Sequence, residues 1–255
     1  MAGRHLSPGT PMKAEQTAGW GLYPVVEAVV ERSRTPQELN RTVEADGPLL
    51  AQGNCRSYGD ACLGPRVVST LGMDNLLEFD AGQGLLRAEA GASLDKIIRF
   101  ILPRGYFLPV TPGTKFPTLG GCIAADVHGK NHHSEGSIAH FVEELEMVLA
   151  DGSWLRCSRQ AHPDLFWATL GGMGLTGLVY AVTLRLKKVE SAYIATRSIK
   201  TRDFGEACRV FAETAAEHVY SVAWIDCLAR GRNLGRSIVI LGDHAPAPAG
   251  AERFR

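Results

Sequence analysis

At 255 residues, 45% hydrophobic and 21% charged, the chain has the composition of an ordinary folded protein, which excludes disorder as its main state. Its 27 basic and 27 acidic residues cancel, so no global field favours nucleic acid or an anionic membrane, and any ligand must be captured locally. The six cysteines form no CxxC pair and read as reduced thiols, against a zinc ribbon or a small disulfide scaffold.

The N-terminal "MAGRHLSPGTPMKAEQ" lacks the apolar core of a signal peptide and predicts a cytoplasmic start. "TPQELNRTVEA" predicts a helix with Thr35 as N-cap and Pro36 in the first position, and "PLLAQGN" a short strand entering a turn. Next comes "GNCRSYGDACLG", Gly53 to Gly64. Glycines let such a loop turn its backbone N–H groups onto an anion, and Ser57 and Arg56 would add charge-assisted bonds of about 1.5–3 kcal/mol each. The loop is neither a GxGxxG opening a helix nor a P-loop, which disfavours a nicotinamide-binding Rossmann fold. Standing alone, it reads equally as a plain surface loop.

"GLLRAEAGASLDKIIRFILPRG" predicts a strand, then a helix capped by Ser93 with Leu94, Ile97, Ile98 and Ile101 on one face, stopped by Gly105. "PGTKFPTLGG", Pro112 to Gly121, is a second glycine loop. It leads into "DVHGKNHH", Asp126 to His133, whose three histidines raise the question of a metal. His128 and His132 have helical spacing, but Gly129 and Asn131 are poor helix residues, Lys130 would repel a cation, and no HExxH glutamate follows, so no metal site is predicted. His132 and His133 read either as hydrogen-bonded structural histidines or as site groups.

"VEELEMVLADGSWLRCS" predicts a hairpin turning at Asp151-Gly152. Leu165 to Leu184 carries no charge over about the length that spans a bilayer. Gly171, Gly172, Gly174 and Gly177 interrupt it, so it reads as helix, glycine turn and strand, with no intrinsic membrane anchor. After about Glu190 the texture changes to an aromatic-bearing strand, a helix near Asp203 to Glu217, and a strand through "YSVAWIDCL". That change places a boundary between residues 1–190 and 191–255 in an α+β fold. Only the short "APAPAG" near the C-terminus is of low complexity.

Three glycine turns in one unit suit a long ligand such as a diphosphate dinucleotide. Together, "GNCRSYGD", "PGTKFPTLGGCIAADVHGKNHH", "LFWATLGGMGLTG" and "SVAWID" resemble the flavin-dependent oxidases of the vanillyl-alcohol oxidase and p-cresol methylhydroxylase superfamily. Within it they resemble most the decaprenylphosphoryl-β-D-ribose 2-oxidase family, from about Pro48 to Gly242. The resemblance implies a p-cresol methylhydroxylase-type FAD-binding domain of two α+β subdomains over 1–190. Residues 191–255 would then begin an α+β substrate domain.

It also implies that Gly53, Asn54, Cys55, Arg56, Ser57, Tyr58 and Gly59 wrap the FAD pyrophosphate. Gly113, Thr118, Leu119, Gly120, Gly121, Ala125, Asp126 and His128 would support the ring and phosphates, with Val179 against the adenine half. His128 and Lys130 are the implied catalytic residues, and Lys130 and Trp224 the implied substrate contacts. Two positions depart from the family pattern. Cys55 stands where relatives often have glycine, which implies a stiffer loop. Arg56 stands where many members carry a flavin-linking histidine, which implies noncovalent FAD.

The implied reaction oxidises the 2-hydroxyl of a polyprenyl-phosphate-linked ribose to the 2-keto form by hydride transfer to flavin N5. Aldose, alditol or lactone oxidation is the alternative, as is a noncatalytic FAD-binding half. Relatives of this kind run to nearly twice this length, so the expected partners are the sugar substrate and a partner reductase or a missing C-terminal half. The expected location is the cytoplasm, peripheral at the inner face of the plasma membrane where the substrate is lipid-linked.

Overall fold

The structure is a computed structural model that describes residues 13–45 and 47–247. Most of the N-terminal stretch read above for a signal peptide, and the end of the "APAPAG" run, lie outside the described residues.

Strands β1 (Glu15–Ala18) and β2 (Val25–Arg32) are antiparallel, and α1 (Pro36–Glu44) then crosses over to β3 (Leu50–Gln52). Both β2 and β3 pair in parallel with β4 (Arg66–Ser69), giving the sheet order β1-β2-β4-β3. A helical crossover is how parallel strands are joined. α1 starts where its cap predicts: Thr35 Oγ1 accepts from the Glu38 N–H at 3.2 Å, a bond worth about 1 kcal/mol. Its Leu39 is buried against Val68, Met73, Val148, Leu178 and Tyr180, which ties this sheet to the next.

The second sheet is antiparallel. β5 (Leu76–Asp80) and β6 (Leu85–Glu89) lead into α2 (Leu94–Ile101) and the short β7 (Tyr106–Phe107). After α3 (Leu119–Ala124) and α4 (His132–Glu135) come β8 (Val142–Val148), β9 (Trp154–Ser158), α5 (Pro163–Thr169) and β10 (Leu178–Arg185). The order is β5-β6-β10-β8-β9, and β7 pairs separately with β11 (Lys187–Lys188). The β8–β9 hairpin turns at Asp151-Gly152, with Gly152 at φ +80°.

Helices α2, α3 and α5 pack on this sheet around the main core, which includes Leu94, Ile97, Ile101, Leu119, Ile123, Leu145, Phe166 and Val182. Ser93 caps α2 by accepting from the Lys96 N–H at 3.2 Å, and Gly105 ends the following turn at φ +81°. Ile98, expected on the buried face, is only partly covered, because Leu94, Ile97 and Ile101 already fill the stripe facing the sheet. The uncharged stretch resolves into α5, a glycine turn and β10. Among the described residues no helix is long and apolar enough to cross a membrane.

The third sheet uses only later residues. β12 (Ile194–Thr201), α6 (Phe204–Thr214), β13 (Tyr220–Ile225) and β14 (Ser237–His244) give the order β12-β14-β13. α6 is capped by Asp203, which accepts from the Glu206 N–H at 2.8 Å. Several strands were not anticipated: β1 and β2, β4 and β5, the short β7 and β11, and β14, the centre of its sheet. The second glycine loop also ends earlier than predicted, because Thr118 caps α3 and the helix begins at Leu119.

Candidate functional site

α3 forms against its own composition, since two glycines in its first turn cost a helix about 1 kcal/mol each relative to alanine. Tertiary contact overrides that. A Cβ on Gly120 would lie 2.8 Å from Ala90 Cβ and 3.1 Å from its carbonyl oxygen, so only glycine lets α3 press against the chain leaving β6. The Gly120 N–H donates to that same Ala90 carbonyl at 2.8 Å, and the Leu119 N–H to Ala92 O at 2.8 Å. Thr118 Oγ1 accepts from the Gly121 N–H at 3.2 Å.

The three glycine loops meet at this short helix. The first loop touches its start: a Cβ on Gly53 would lie 2.4 Å from Thr118 Oγ1, and Asn54 Nδ2 donates to Phe116 O at 3.0 Å. The third loop touches its end, through Gly171 N–H to Ile123 O at 3.0 Å and Met173 N–H to Ala124 O at 2.8 Å. Gly59 and Gly113 each face open space, with nothing within 4 Å of a would-be Cβ. Arg56, Ser57, Tyr58 and Gly59 are exposed, Tyr58 at 91%. Among the described residues, no backbone N–H from Asn54 to Gly59 donates to a backbone carbonyl. Open glycines and unspent N–H donors beside a guanidinium and a hydroxyl form a cradle for a long anionic ligand.

Asp126 sits just past α3 in a left-handed conformation, φ +41°, and its Oδ1 accepts from the Ala139 N–H at 3.0 Å. Ala125 is exposed beside it, and Gly171 would place a Cβ 3.4 Å from Asp126 Cβ. His128 follows with an exposed ring and a backbone bridge to Ser137. Its ring meets the His132 ring edge-on at 5.6 Å. His132 Nδ1 lies 3.0 Å from Gly129 O and His133 Nε2 lies 3.1 Å from His218 O, so both have local hydrogen-bonding partners. Asn131 is buried: its Nδ2 donates to Pro109 O at 2.8 Å, while its Oδ1 has no partner among the described residues.

Lys130 has an exposed side chain, and its carbonyl accepts from the Ser221 N–H at 2.9 Å, which joins the histidine-rich segment to the third sheet. Trp224 lies three residues along β13 from that contact, roughly 10 Å at the rise of a strand. It is 75% exposed and lines an open hollow of about 370 Å³ with Lys200, Asp226, Arg236 and Ile238. Val179 is half-buried at the start of β10, opposite Met147, and packs on the main core. Residues of the first two loops therefore stand together, with Asp126, His128 and Lys130 following on one segment. Trp224 and Val179 lie on separate strands.

Several contributors were not picked out from the sequence. Trp20 donates its N–H to Ser57 O at 3.0 Å and sets its ring 5.5 Å from the Arg56 guanidinium, while Gly19 packs against Ser57 and Gly59. Nothing local signals a contact across that separation. Cys62 is another: its thiol draws the Cys55 pKa down to about 6, while Cys55 and then burial push its own up. Beside the Lys130–Ser221 link, Tyr220 Oη lies 2.9 Å from His244 Nε2, and His218 Nδ1 lies 2.6 Å from Asp243. Burial, then Lys187, lowers the His244 pKa. Burial also raises Tyr220 to about 12, followed by Glu135 and Asp243.

Comparison with known proteins agrees with the cradle. The family model described as an FAD binding domain matches residues 28–158, which include the first two loops, α3 and the histidine-rich segment. The chain is 35% identical to the decaprenylphosphoryl-beta-D-ribose oxidase of Mycolicibacterium smegmatis, over 92% of this chain and 53% of that protein. It is 28% identical to the delta(24)-sterol reductase of Rattus norvegicus, over 54% of this chain and 26% of that one. With the mitochondrial D-2-hydroxyglutarate dehydrogenase of the same organism it shares 30% identity, over 50% and 26%. The chain spans about half, or less, of the length of these curated relatives.

Proposed function

Because the chain belongs to the FAD-binding-domain family and carries FAD as its cofactor, we propose that it supplies the flavin side of an oxidoreductase acting on a sugar alcohol. The observation that carries this reading is the convergence of three glycine loops on α3, with His128 and Lys130 on the segment that leaves it. Gly53 to Gly59 would hold the pyrophosphate through backbone N–H groups, with Ser57 and Arg56 adding charge-assisted bonds. Gly113, Thr118 to Gly121, Ala125 and Asp126 would border the ring, and Val179 the adenine half. No histidine occupies the Arg56 position, so FAD is held noncovalently in this reading. When bound, FAD supplies a two-electron acceptor.

The chain's own groups would then orient the alcohol and manage its proton. His128 is exposed beside the His132 ring and is suited to hold or move the alcohol's proton. Lys130 presents an ammonium suited to a substrate phosphate. Trp224, with Lys200 and Arg236 beside it, would wall a more distant part of the substrate. We assign as substrate the 2-hydroxyl of a polyprenyl-phosphate-linked ribose, oxidised to the 2-keto form; support comes from the 35%-identical relative, which is named an oxidase of decaprenylphosphoryl-beta-D-ribose. Residues 1–190 would form the FAD-binding domain, and residues 191–255 would belong to the substrate domain. A lipid-linked substrate would bring the protein to the inner face of the plasma membrane.

The FAD-loaded chain should lose its visible flavin absorbance when polyprenyl-phosphate ribose is added without oxygen, and keep it with free alditols. Loss with alditols alone would overturn the substrate assignment. A second reading has its own support: the wide exposure of the third sheet around Trp224 fits a half that turns over only beside a partner polypeptide. Bleaching that requires added C-terminal sequence of a relative would select it.

A further inference from the structure

The first glycine loop packs against a segment that lies outside both the glycine motifs and the family match. The FAD-binding match begins at residue 28, whereas Gly19 and Trp20 stand just after β1. β1 meets the loop at its start: Gln52 Nε2 donates to Thr17 Oγ1 at 3.1 Å, and Thr17 Oγ1 lies 3.9 Å from Cys55 Sγ. Further along the loop the Trp20 backbone N–H donates to Ser57 O at 3.0 Å. The Leu22 N–H donates to Gly19 O at 3.1 Å, which closes the turn that presents Gly19 and Trp20.

Gly19 marks which way the loop faces. A Cβ there would lie 3.0 Å from Ser57 O and 3.1 Å from Gly59 O, while no other atom of Ser57 or Gly59 would come within 4 Å. Both carbonyls therefore point at Gly19. A trans peptide unit sets its N–H opposite its C=O, so the Tyr58 and Asp60 N–H groups point away from Gly19. Neither donates to any group among the described residues. The Arg56 guanidinium lies over the Trp20 ring, 5.5 Å from its centroid, so the residue that holds the Ser57 carbonyl also tethers the loop's cation.

We propose that Gly19 and Trp20 are positioning residues for the FAD pyrophosphate. They draw the Ser57 and Gly59 carbonyls to the β1 side, leave the Tyr58 and Asp60 N–H groups for the anion, and hold Arg56 by its guanidinium. The proposal rests on the reading above, which lays FAD against the first loop. A carbonyl oxygen repels a phosphate and an N–H attracts it, so the side to which the carbonyls turn decides whether the loop is a cradle. The two residues act by separate routes. Gly19 acts through the backbone, because it has no side chain to push the two oxygens away. The Trp20 ring acts through Arg56.

The test is FAD titration of the full chain, followed by flavin fluorescence, beside the denaturant midpoint of each variant without FAD. Trp20→Ala should weaken FAD binding roughly two- to fivefold, the scale of an exposed cation–π contact, and Trp20→Phe, which keeps a ring face for Arg56, should restore it. In a chain already carrying Arg56→Ala, Trp20→Ala should cost nothing more. Gly19→Ala, whose methyl displaces the two oxygens by a few tenths of an ångström, should weaken binding roughly tenfold with or without Arg56, the scale of one charge-assisted bond. A Trp20→Ala loss that persists in full without Arg56, or losses that only follow a lowered denaturant midpoint, would overturn the proposal. Where Gly19→Ala prevents folding, the Trp20 and Arg56 cycle decides by itself. FAD binding that ignores both substitutions overturns this proposal alone, whereas failure of the unaltered chain to bind FAD overturns the flavin reading together with it.

Discussion

The two ends of the Lys130–Ser221 link are built differently. On one side, α3 is surrounded: the second sheet lies beneath it, the first loop at its start, the third loop at its end, and Leu119 and Ile123 in a large buried core. On the other side, the third sheet has a small core of Ala207, Val239 and Leu241 with a few partly buried neighbours. Its opposite face leaves Trp224, Ile238 and Ile194 open. A cofactor cradle needs backbone donors held in one arrangement, and the first region has the packing for that. The second has an accessible surface and is steadied by few contacts, among them Ser221 to Lys130, His133 to His218, and the Phe107 and His244 rings 5.7 Å apart.

Core truncation should separate the regions most strongly. Ile97→Ala, at a fully buried site, should cost about 2–5 kcal/mol of global stability in denaturant melts. Leu241→Ala should instead raise amide exchange in residues 194–244 while leaving residues 119–124 protected. A single shared loss of protection would break the distinction.

Gly120→Val ranks next. Its side chain would collide with Ala90, costing about 1–3 kcal/mol and displacing α3, so FAD retention should drop far more than stability. Unchanged FAD retention would remove α3 from the cradle. Asp126→Ala should cost about 0.5–1.5 kcal/mol by freeing the Ala139 N–H, with Asp126→Asn restoring most of it.

The smallest effect is pH dependence at the junction. The folded pKa of His244 lies below its ordinary 6.5, so the unfolded state binds more protons there. That contribution to stability is complete above pH 6.5 and declines as pH falls from 6.5 to the depressed value. Burial pushes Asp243 up, but the Val219 N–H and His218 together hold it below its usual 3.8, so a further loss follows in stronger acid. Protection factors at 218–221 and 242–244, taken relative to the intrinsic exchange rate at each pH, should therefore fall between pH 7 and 5, ahead of those at 119–124.

Caps and hairpins were legible in the sequence because their chemistry is local. Thr35, Ser93 and Asp203 each cap within three residues of themselves, and Asp151-Gly152 turns where it stands. α3 was not legible as a helix, because "LGGCIA" is helical only where Ala90 demands close approach. The candidate site divides in the same way. Its loops could be read as glycine motifs, and the resemblance supplied their roles. The packing of Gly19 and Trp20 on Ser57, and of Thr17 on Cys55, depends on β1 folding back beside the first loop, which no nearby residue announces.

Hydrogen exchange of the chain with and without FAD tests the central claim most directly. The account predicts new protection in residues 53–59, 118–126 and 171–174 together, with little change across 220–244. Protection confined to the third sheet, or none in the glycine loops at saturating FAD, would contradict it.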